Sequence, residues 1–158
     1  MTACIEDNIV DHGRMRPCLE MEEHDTLPAG RARDFMSTPP RTLRGDDSAL
    51  ELVRLMCDEC LHHVLVVDSA KRLIGLVSDR DFLRSFGPHD KTSQLAETKV
   101  AQIMTRSVIT AGAEDSVRSV VSLFTRHGIG CVPIMLGENP VGIITRSDLL
   151  RVLENILG

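Results

Sequence analysis

Apolar residues along this chain fall into stripes at helical spacing and into short runs rich in Val and Ile, and the two kinds alternate in the same order twice. Leu52, Leu55 and Met56 fall on one face of a helix, as do Val120, Leu123 and Phe124. Acidic and hydroxyl residues stand where each helix would begin, at Asp46-Asp47-Ser48 and at Glu114-Asp115-Ser116. Such residues satisfy the free amides and the positive dipole end of a first turn. The helices are expected to end near Cys60 and Gly128. Two runs rich in Val and Ile follow in each half, residues 63–68 with 72–77 and residues 131–135 with 141–144. A short polar turn between the runs predicts a hairpin. A last helix is expected from Ser78, carrying Phe82 and Leu83, and from Thr145, carrying Leu149 and Leu150.

The halves align residue by residue. Met36 falls over Met104 and the register holds to Leu65 over Pro133. One residue drops out in a turn, and Gly75-Leu-Val-Ser78-Asp-Arg-Asp81 then falls over Gly142-Ile-Ile-Thr145-Arg-Ser-Asp148. Repetition of a whole strand-helix-strand-strand-helix unit predicts two small similar modules packed as a pair, with any ligand between them. The expected division is an N-terminal arm over residues 1–33, mobile or partly helical, a first repeat over 34–86, a polar linker over 87–99 broken by Gly87-Pro88, and a second repeat over 100–158.

Composition narrows the class. A chain of 158 residues with 42% hydrophobic and 26% charged positions has the makeup of one compact soluble domain, or of two small ones sharing a core. No run approaches the roughly 18 apolar residues of a membrane span, and the start lacks the basic and apolar blocks of a secretory signal. A cytoplasmic protein with no membrane partner is therefore expected. A net charge of −5 argues against nucleic acid as a partner. The five cysteines (Cys4, Cys18, Cys57, Cys60 and Cys131) are odd in number and read as thiols. With no Trp, no Tyr and four Phe, the core must be aliphatic, and a flat ligand would have to be gripped by Val, Ile and Leu.

The order of elements, the paired Gly-x-x-[Ser/Thr]-x-x-Asp segments, the Val-Pro-Ile at 132–134 and the Met-Thr-x-x-x-Ile-Thr opening at 104–110 resemble a tandem pair of cystathionine-β-synthase (CBS) domains, a Bateman module standing alone. The resemblance covers about residues 34–155. It implies an α/β fold in which two CBS repeats pack sheet to sheet as one pseudo-two-fold module, with two clefts for adenosine-containing ligands. It also implies association into a flat dimer.

The residues of the clefts carry their own chemistry. Gly75 and Gly142 lack a Cβ, so a ligand could come close to the backbone there. Ser78 and Thr145 sit at the expected N-cap of the last helices, where free N–H groups suit a phosphate. Asp81 and Asp148 lie one turn on, and an ionised carboxylate accepts hydrogen bonds from both ribose hydroxyls. Ser or Thr followed three residues later by an acid is equally a capping box, in which both groups satisfy backbone donors. The two readings are compatible.

The family resemblance adds further candidates. His62 and His63 occupy the position that often faces a ligand's phosphates, with Gly130 and Cys131 as their counterparts, so the clefts are expected to be unequal and the His side to favour a phosphorylated ligand. Arg80 and Arg146, and more weakly Arg41 and Arg44, could add charge. Leu65 replaces the family Pro kept as Pro133. Thr42 and Thr110 match a Thr of the first strand that often contacts ligand, although Thr is also at home in any sheet.

Cys57-x-x-Cys60-x-His62-His63 has metal-ligand spacing, but all four side chains fall within one short segment, and a thiol at a helix C-terminus is not activated by the dipole. No Walker loop or nucleophile elbow is present. The sequence thus points to a non-enzymatic regulatory module with no catalytic cofactor. It would sense an adenine nucleotide (AMP, ADP or ATP ahead of S-adenosylmethionine), form a homodimer and signal to an effector protein. The alternatives are a structural CBS-dimer scaffold with empty clefts and, more weakly, a metal or redox protein built on the Cys and His cluster.

Overall fold

The structure, a computed structural model, describes residues 29–87 and 92–157. The expectations for residues 1–28, including Cys4 and Cys18, and for the break at Pro88 lie outside the described residues.

Each half folds in the expected order. In the first, β1 (Thr42–Arg44), α2 (Ala49–Asp58), β2 (His63–Val67), β3 (Leu73–Ser78) and α3 (Asp79–Ser85) follow a short helix α1 (Ala32–Phe35). In the second, β4 (Ala111–Gly112), α6 (Val117–His127), β5 (Cys131–Leu136), β6 (Asn139–Thr145) and α7 (Arg146–Leu157) follow α4 (Thr92–Glu97) and α5 (Val100–Ile103). The sheets are β1-β2-β3 and β4-β5-β6, each with one parallel and one antiparallel pairing. The parallel pair β1/β2 is bridged by α2, as a parallel crossover requires.

Local chemistry accounts for the helix limits. The Ser48 hydroxyl accepts the Glu51 amide at 3.2 Å and the Glu51 carboxylate accepts the Ser48 amide at 2.7 Å, a complete capping box. Ser116 caps α6, and Gly128 closes it in the left-handed region at φ 61°. The equivalent Cys60 adopts φ 52° at the end of α2, a conformation that a side chain makes costly.

The core is double. Leu52, Met56, Val64, Val66 and Val77 form one apolar cluster, and Val120, Phe124, Val132, Ile134 and Ile144 form the other. Alternation sends Val64 and Val66 to one face of β2 and Leu65 to the other, yet all three are fully buried. Val132, Pro133 and Ile134 repeat this in β5. Central strands covered on both faces have helices on one side and the other repeat on the other. Leu52 and Val120 are therefore internal, which removes them from the edge of the module, where helical stripes would be available to a dimer partner. The large apolar side chains that do face solvent include Leu83 on α3 and Leu150 and Leu153 on α7.

Two features depart from the expected division. The linker contains α4, packed on α2, and Thr98 at its end supplies the carbonyl that accepts the Ala49 amide at 2.8 Å. Residues 30–33, expected in the arm, are docked: the Val117 amide donates to the Gly30 carbonyl, and Ala32 is fully buried in the core of the second repeat.

The opening segment of each repeat belongs to the core of the other. Ser37 exchanges two backbone hydrogen bonds with Ile143, and Thr105 does the same with Leu76. A Cβ at Gly75 would lie 2.5 Å from the Met104 sulfur, and one at Gly142 would meet the sulfur of Met36. These glycines are small so that a methionine can cross them.

Candidate functional site

A cavity of about 810 Å³ opens between the repeats, within the range of pockets that hold a nucleotide-sized molecule. Its walls come from the strand-to-helix corners β3–α3 and β6–α7, from the starts of β2 and β5, and from the opening segments around Pro39-Pro40 and Ser107–Ile109. Nine of the residues expected at a ligand line it: His62, His63, Ser78, Arg80, Gly130, Cys131, Thr145, Arg146 and Asp148. Gly75 and Thr110 line a smaller cavity of about 400 Å³ beside Asp68, Arg72, Arg106 and Glu138. Thr42, Asp81, Pro133 and Gly142 line neither. For Gly142, and for the missing side chain of Gly75, the expectation of close ligand approach gives way to methionine packing. Pro133 is enclosed in β5 with no face to offer a ligand.

Both Ser/Thr–Asp pairs are closed capping boxes. Asp81 Oδ2 accepts the Ser78 amide at 2.9 Å and the Ser78 hydroxyl at 2.7 Å. Asp148 Oδ2 accepts the Thr145 amide at 2.8 Å and the Thr145 hydroxyl at 2.6 Å. The two carboxylates differ beyond that. Asp148 is only 6% exposed, and its Oδ1 accepts the Ser37 hydroxyl at 3.3 Å and approaches Arg151 Nη1 at 3.4 Å. Asp148 is thus held from both repeats at the wall of the cavity. The Ser37 contribution is not visible in the sequence, because it depends on the exchanged opening segment.

The corners also differ in charge. Asp79 and Arg146 are repeat equivalents, and each donates its amide to the residue just ahead of the hairpin's first strand: Asp79 to the His62 carbonyl at 3.0 Å, Arg146 to the Gly130 carbonyl at 3.2 Å. The same backbone thus presents a carboxylate in one half and a guanidinium in the other. Asp79 Oδ2 pairs with His62 Nδ1 at 3.0 Å and its Oδ1 accepts the Arg80 amide at 2.8 Å. Burial pushes its carboxyl up, but the His62 bond and the Arg80 amide outweigh it and leave Asp79 below the ordinary carboxylate range. Arg146 Nε and Nη2 donate to the Ile129 and Gly128 carbonyls, both at 3.1 Å, which holds the guanidinium at the end of α6. The Gly-x-x-[Ser/Thr]-x-x-Asp motif does not mark Asp79, which fills one of its variable positions; the alignment of Asp79 with Arg146 is the signal the sequence carries.

His63 crosses the seam. Its imidazole lies over Gly130, where a Cβ would come within 2.7 Å of Nε2. Burial pulls the His63 pKa below the usual histidine value; His62 and Arg80 lower it further, while Asp79 and Asp81 oppose. Cys57 and Cys60 are exposed at the end of α2. Among the described residues no three His, Cys, Asp or Glu side chains are placed to hold a metal. No helix among the described residues is long and apolar enough to cross a membrane.

Comparison with known proteins places this geometry in context. The family model of the CBS domain matches residues 32–87 and again 100–155. L-aspartate semialdehyde sulfurtransferase of Methanocaldococcus jannaschii is 28% identical over 126 residues, covering 79% of this chain and 23% of that protein. The chain therefore spans about a quarter of the length of that relative. A CBS domain pair crystallised with 5′-methylthioadenosine and S-adenosyl-L-methionine superposes with a TM-score of 0.72 at 26% identity, covering 81% of this chain and 98% of that one. The CBS domain of a CBS-domain-containing membrane protein from Sphaerobacter thermophilus superposes with a TM-score of 0.68 at 30% identity, covering 77% and 86%.

Proposed function

The chain belongs to the CBS domain family, and on that premise we propose that it is a regulatory module which binds an adenosine-containing ligand in the cavity between its repeats and signals to a partner protein. The observation that carries this reading is the pairing of a nucleotide-sized cavity with Asp148 at its wall, a buried carboxylate suited to a ribose diol. The similar CBS pair that holds methylthioadenosine and S-adenosylmethionine supports the ligand class. AMP, ADP and ATP belong to the same class, with Arg146 and Arg151 on the cavity wall as phosphate contacts. The cavity wall offers hydroxyl, carboxylate, imidazole and guanidinium groups suited to binding, which supports a regulatory role.

Signalling follows from the exchanged opening segments. A ligand that engages Asp148 also engages Ser37, and through it the packing of one repeat on the other. Leu83, Leu150 and Leu153, exposed on α3 and α7, form the surface through which two copies pair. Thermal-shift measurement against AMP, ATP, methylthioadenosine and S-adenosylmethionine tests the reading. Stabilisation by at least one of them is expected, and the absence of any shift at millimolar ligand would favour a scaffold with empty clefts. Sedimentation as a monomer at micromolar concentration would overturn the dimer.

A further inference from the structure

We infer that the two halves of the cavity select adenosine ligands of different charge: the half bearing Arg146 takes a phosphorylated ligand, and the half bearing Asp79 takes an uncharged thioether or a cationic sulfonium. The inference rests on the adenosine reading above and adds to it which chemistry each half accepts. It reverses the expectation drawn from the His pair, in which the first repeat would favour phosphate.

The repeat supplies an internal control. Asp79 and Arg146 follow equivalent strands, donate equivalent amide hydrogen bonds and line the same cavity, so what differs at the corner itself is the side chain. In the first repeat, the Asp79 carboxylate at the cavity wall is balanced by Arg80, so that wall carries no net positive charge. Arg41, at the same wall, is paired with Glu59 at 2.5 Å and adds no net charge. In the second repeat, Arg146 and Arg151 outweigh Asp148.

The Arg146 guanidinium is fixed by its bonds to Ile129 and Gly128, which use two of its five N–H donors and leave three for an oxyanion. A positive group already held in place spends little entropy on binding phosphate. At the other corner, His62 is bound to Asp79 through Nδ1 and balances the carboxylate only when protonated. The Asp79 carboxylate stands where the other half has the Arg146 guanidinium, and it repels a phosphate placed against it. A methylthio group brings no charge there, and a sulfonium is attracted.

Calorimetry at pH 8 with AMP, 5′-methylthioadenosine and S-adenosylmethionine, singly and in competition, tests this. The parent chain is expected to take AMP and methylthioadenosine together, one of each, without mutual displacement. Arg146→Gln should weaken AMP about tenfold and leave methylthioadenosine unchanged. Asp79→Asn, close in shape and retaining one of the two acceptor oxygens, should admit a second AMP and weaken S-adenosylmethionine about three- to tenfold. It serves as the independent arm if loss of the α6 carbonyl contacts destabilises the Arg146 variant. Filling of both halves by AMP in the parent, or variants that shift all three ligands alike, would overturn the charge selection while leaving adenosine binding intact. Binding of none of the three would overturn the adenosine reading and this inference with it.

Discussion

Met36 lies across Gly142, its thioether filling the space where any other residue would carry a side chain. The contact joins the opening of the first repeat to the last strand of the second, and Met104 over Gly75 is its counterpart. Gly142→Ala should therefore destabilise the fold by about 1–3 kcal/mol through overpacking. Met36→Ala should open a cavity, but the double variant should cost less than the two single changes added. A chemical-denaturation double-mutant cycle measures the coupling. Additive behaviour would mean that the two residues do not meet.

Asp148 and Asp81 share a motif position but not an environment. The buried Asp148 accepts two bonds from Thr145 and one from Ser37, so Asp148→Ala should strand those donors and cost about 1–3 kcal/mol of stability. Asp81→Ala should cost about 0.5–2 kcal/mol, the usual loss of a cap interaction. Where the fold persists, loss of the Asp148 carboxylate should weaken an adenosine ligand by roughly ten- to hundredfold. Denaturation curves and calorimetry on both variants check the ranking; equal stability losses would contradict it.

The pH dependence of stability should report His63. Burial lowers its pKa, so the unfolded chain takes up a proton near pH 6.5 while the folded chain resists until a lower pH. Its contribution is present above about pH 6.5 and is lost as pH falls from there toward the folded value. His63→Gln should flatten the stability curve between about pH 7.5 and 5.5. Asp46, Glu51, Asp68 and Asp79, whose carboxyls lie below their ordinary range, act in the same sense but at lower pH. Urea midpoints across the window are the measurement, and parallel curves for parent and variant would refute the assignment.

The thiols should separate by depth. Burial pushes Cys131 up to about 12, so at pH 8 roughly one part in ten thousand is thiolate, the reactive form. Cys57 and Cys60 are exposed. Iodoacetamide should label both in the native state, and Cys131 only once the chain unfolds. Peptide mass spectrometry reads the order; native labelling of Cys131 at the rate of Cys57 would show that β5 is open at that end.

The elements and their limits were legible because local physics sets them. Short continuous runs rich in Val and Ile marked β2, β3, β5 and β6, and stripes of 3.6-residue period marked α2 and α6. Ser48, Ser116, Ser78 and Thr145 marked helix starts since a hydroxyl satisfies amides within its own first turn. Internal duplication then named the family. Much of the cavity wall was legible as well, from His62, His63 and the two Ser/Thr–Asp corners, because the repeat places equivalent residues at equivalent corners.

Tertiary structure decided what local pattern leaves degenerate. A glycine in the chain looks the same whether a ligand or a methionine fills the space of its missing side chain, and only the exchanged opening segments show Met36 and Met104 there. Helical stripes at Leu52 and Val120 mark an apolar face without saying what covers it, and the interior of the chain's own repeats does. His62 reads as a basic residue until Asp79, seventeen positions on, is found bonded to its ring. In each case the partner lies beyond the reach of a turn or a helix, and such contacts are selected by packing of the whole module rather than by the residues that flank them.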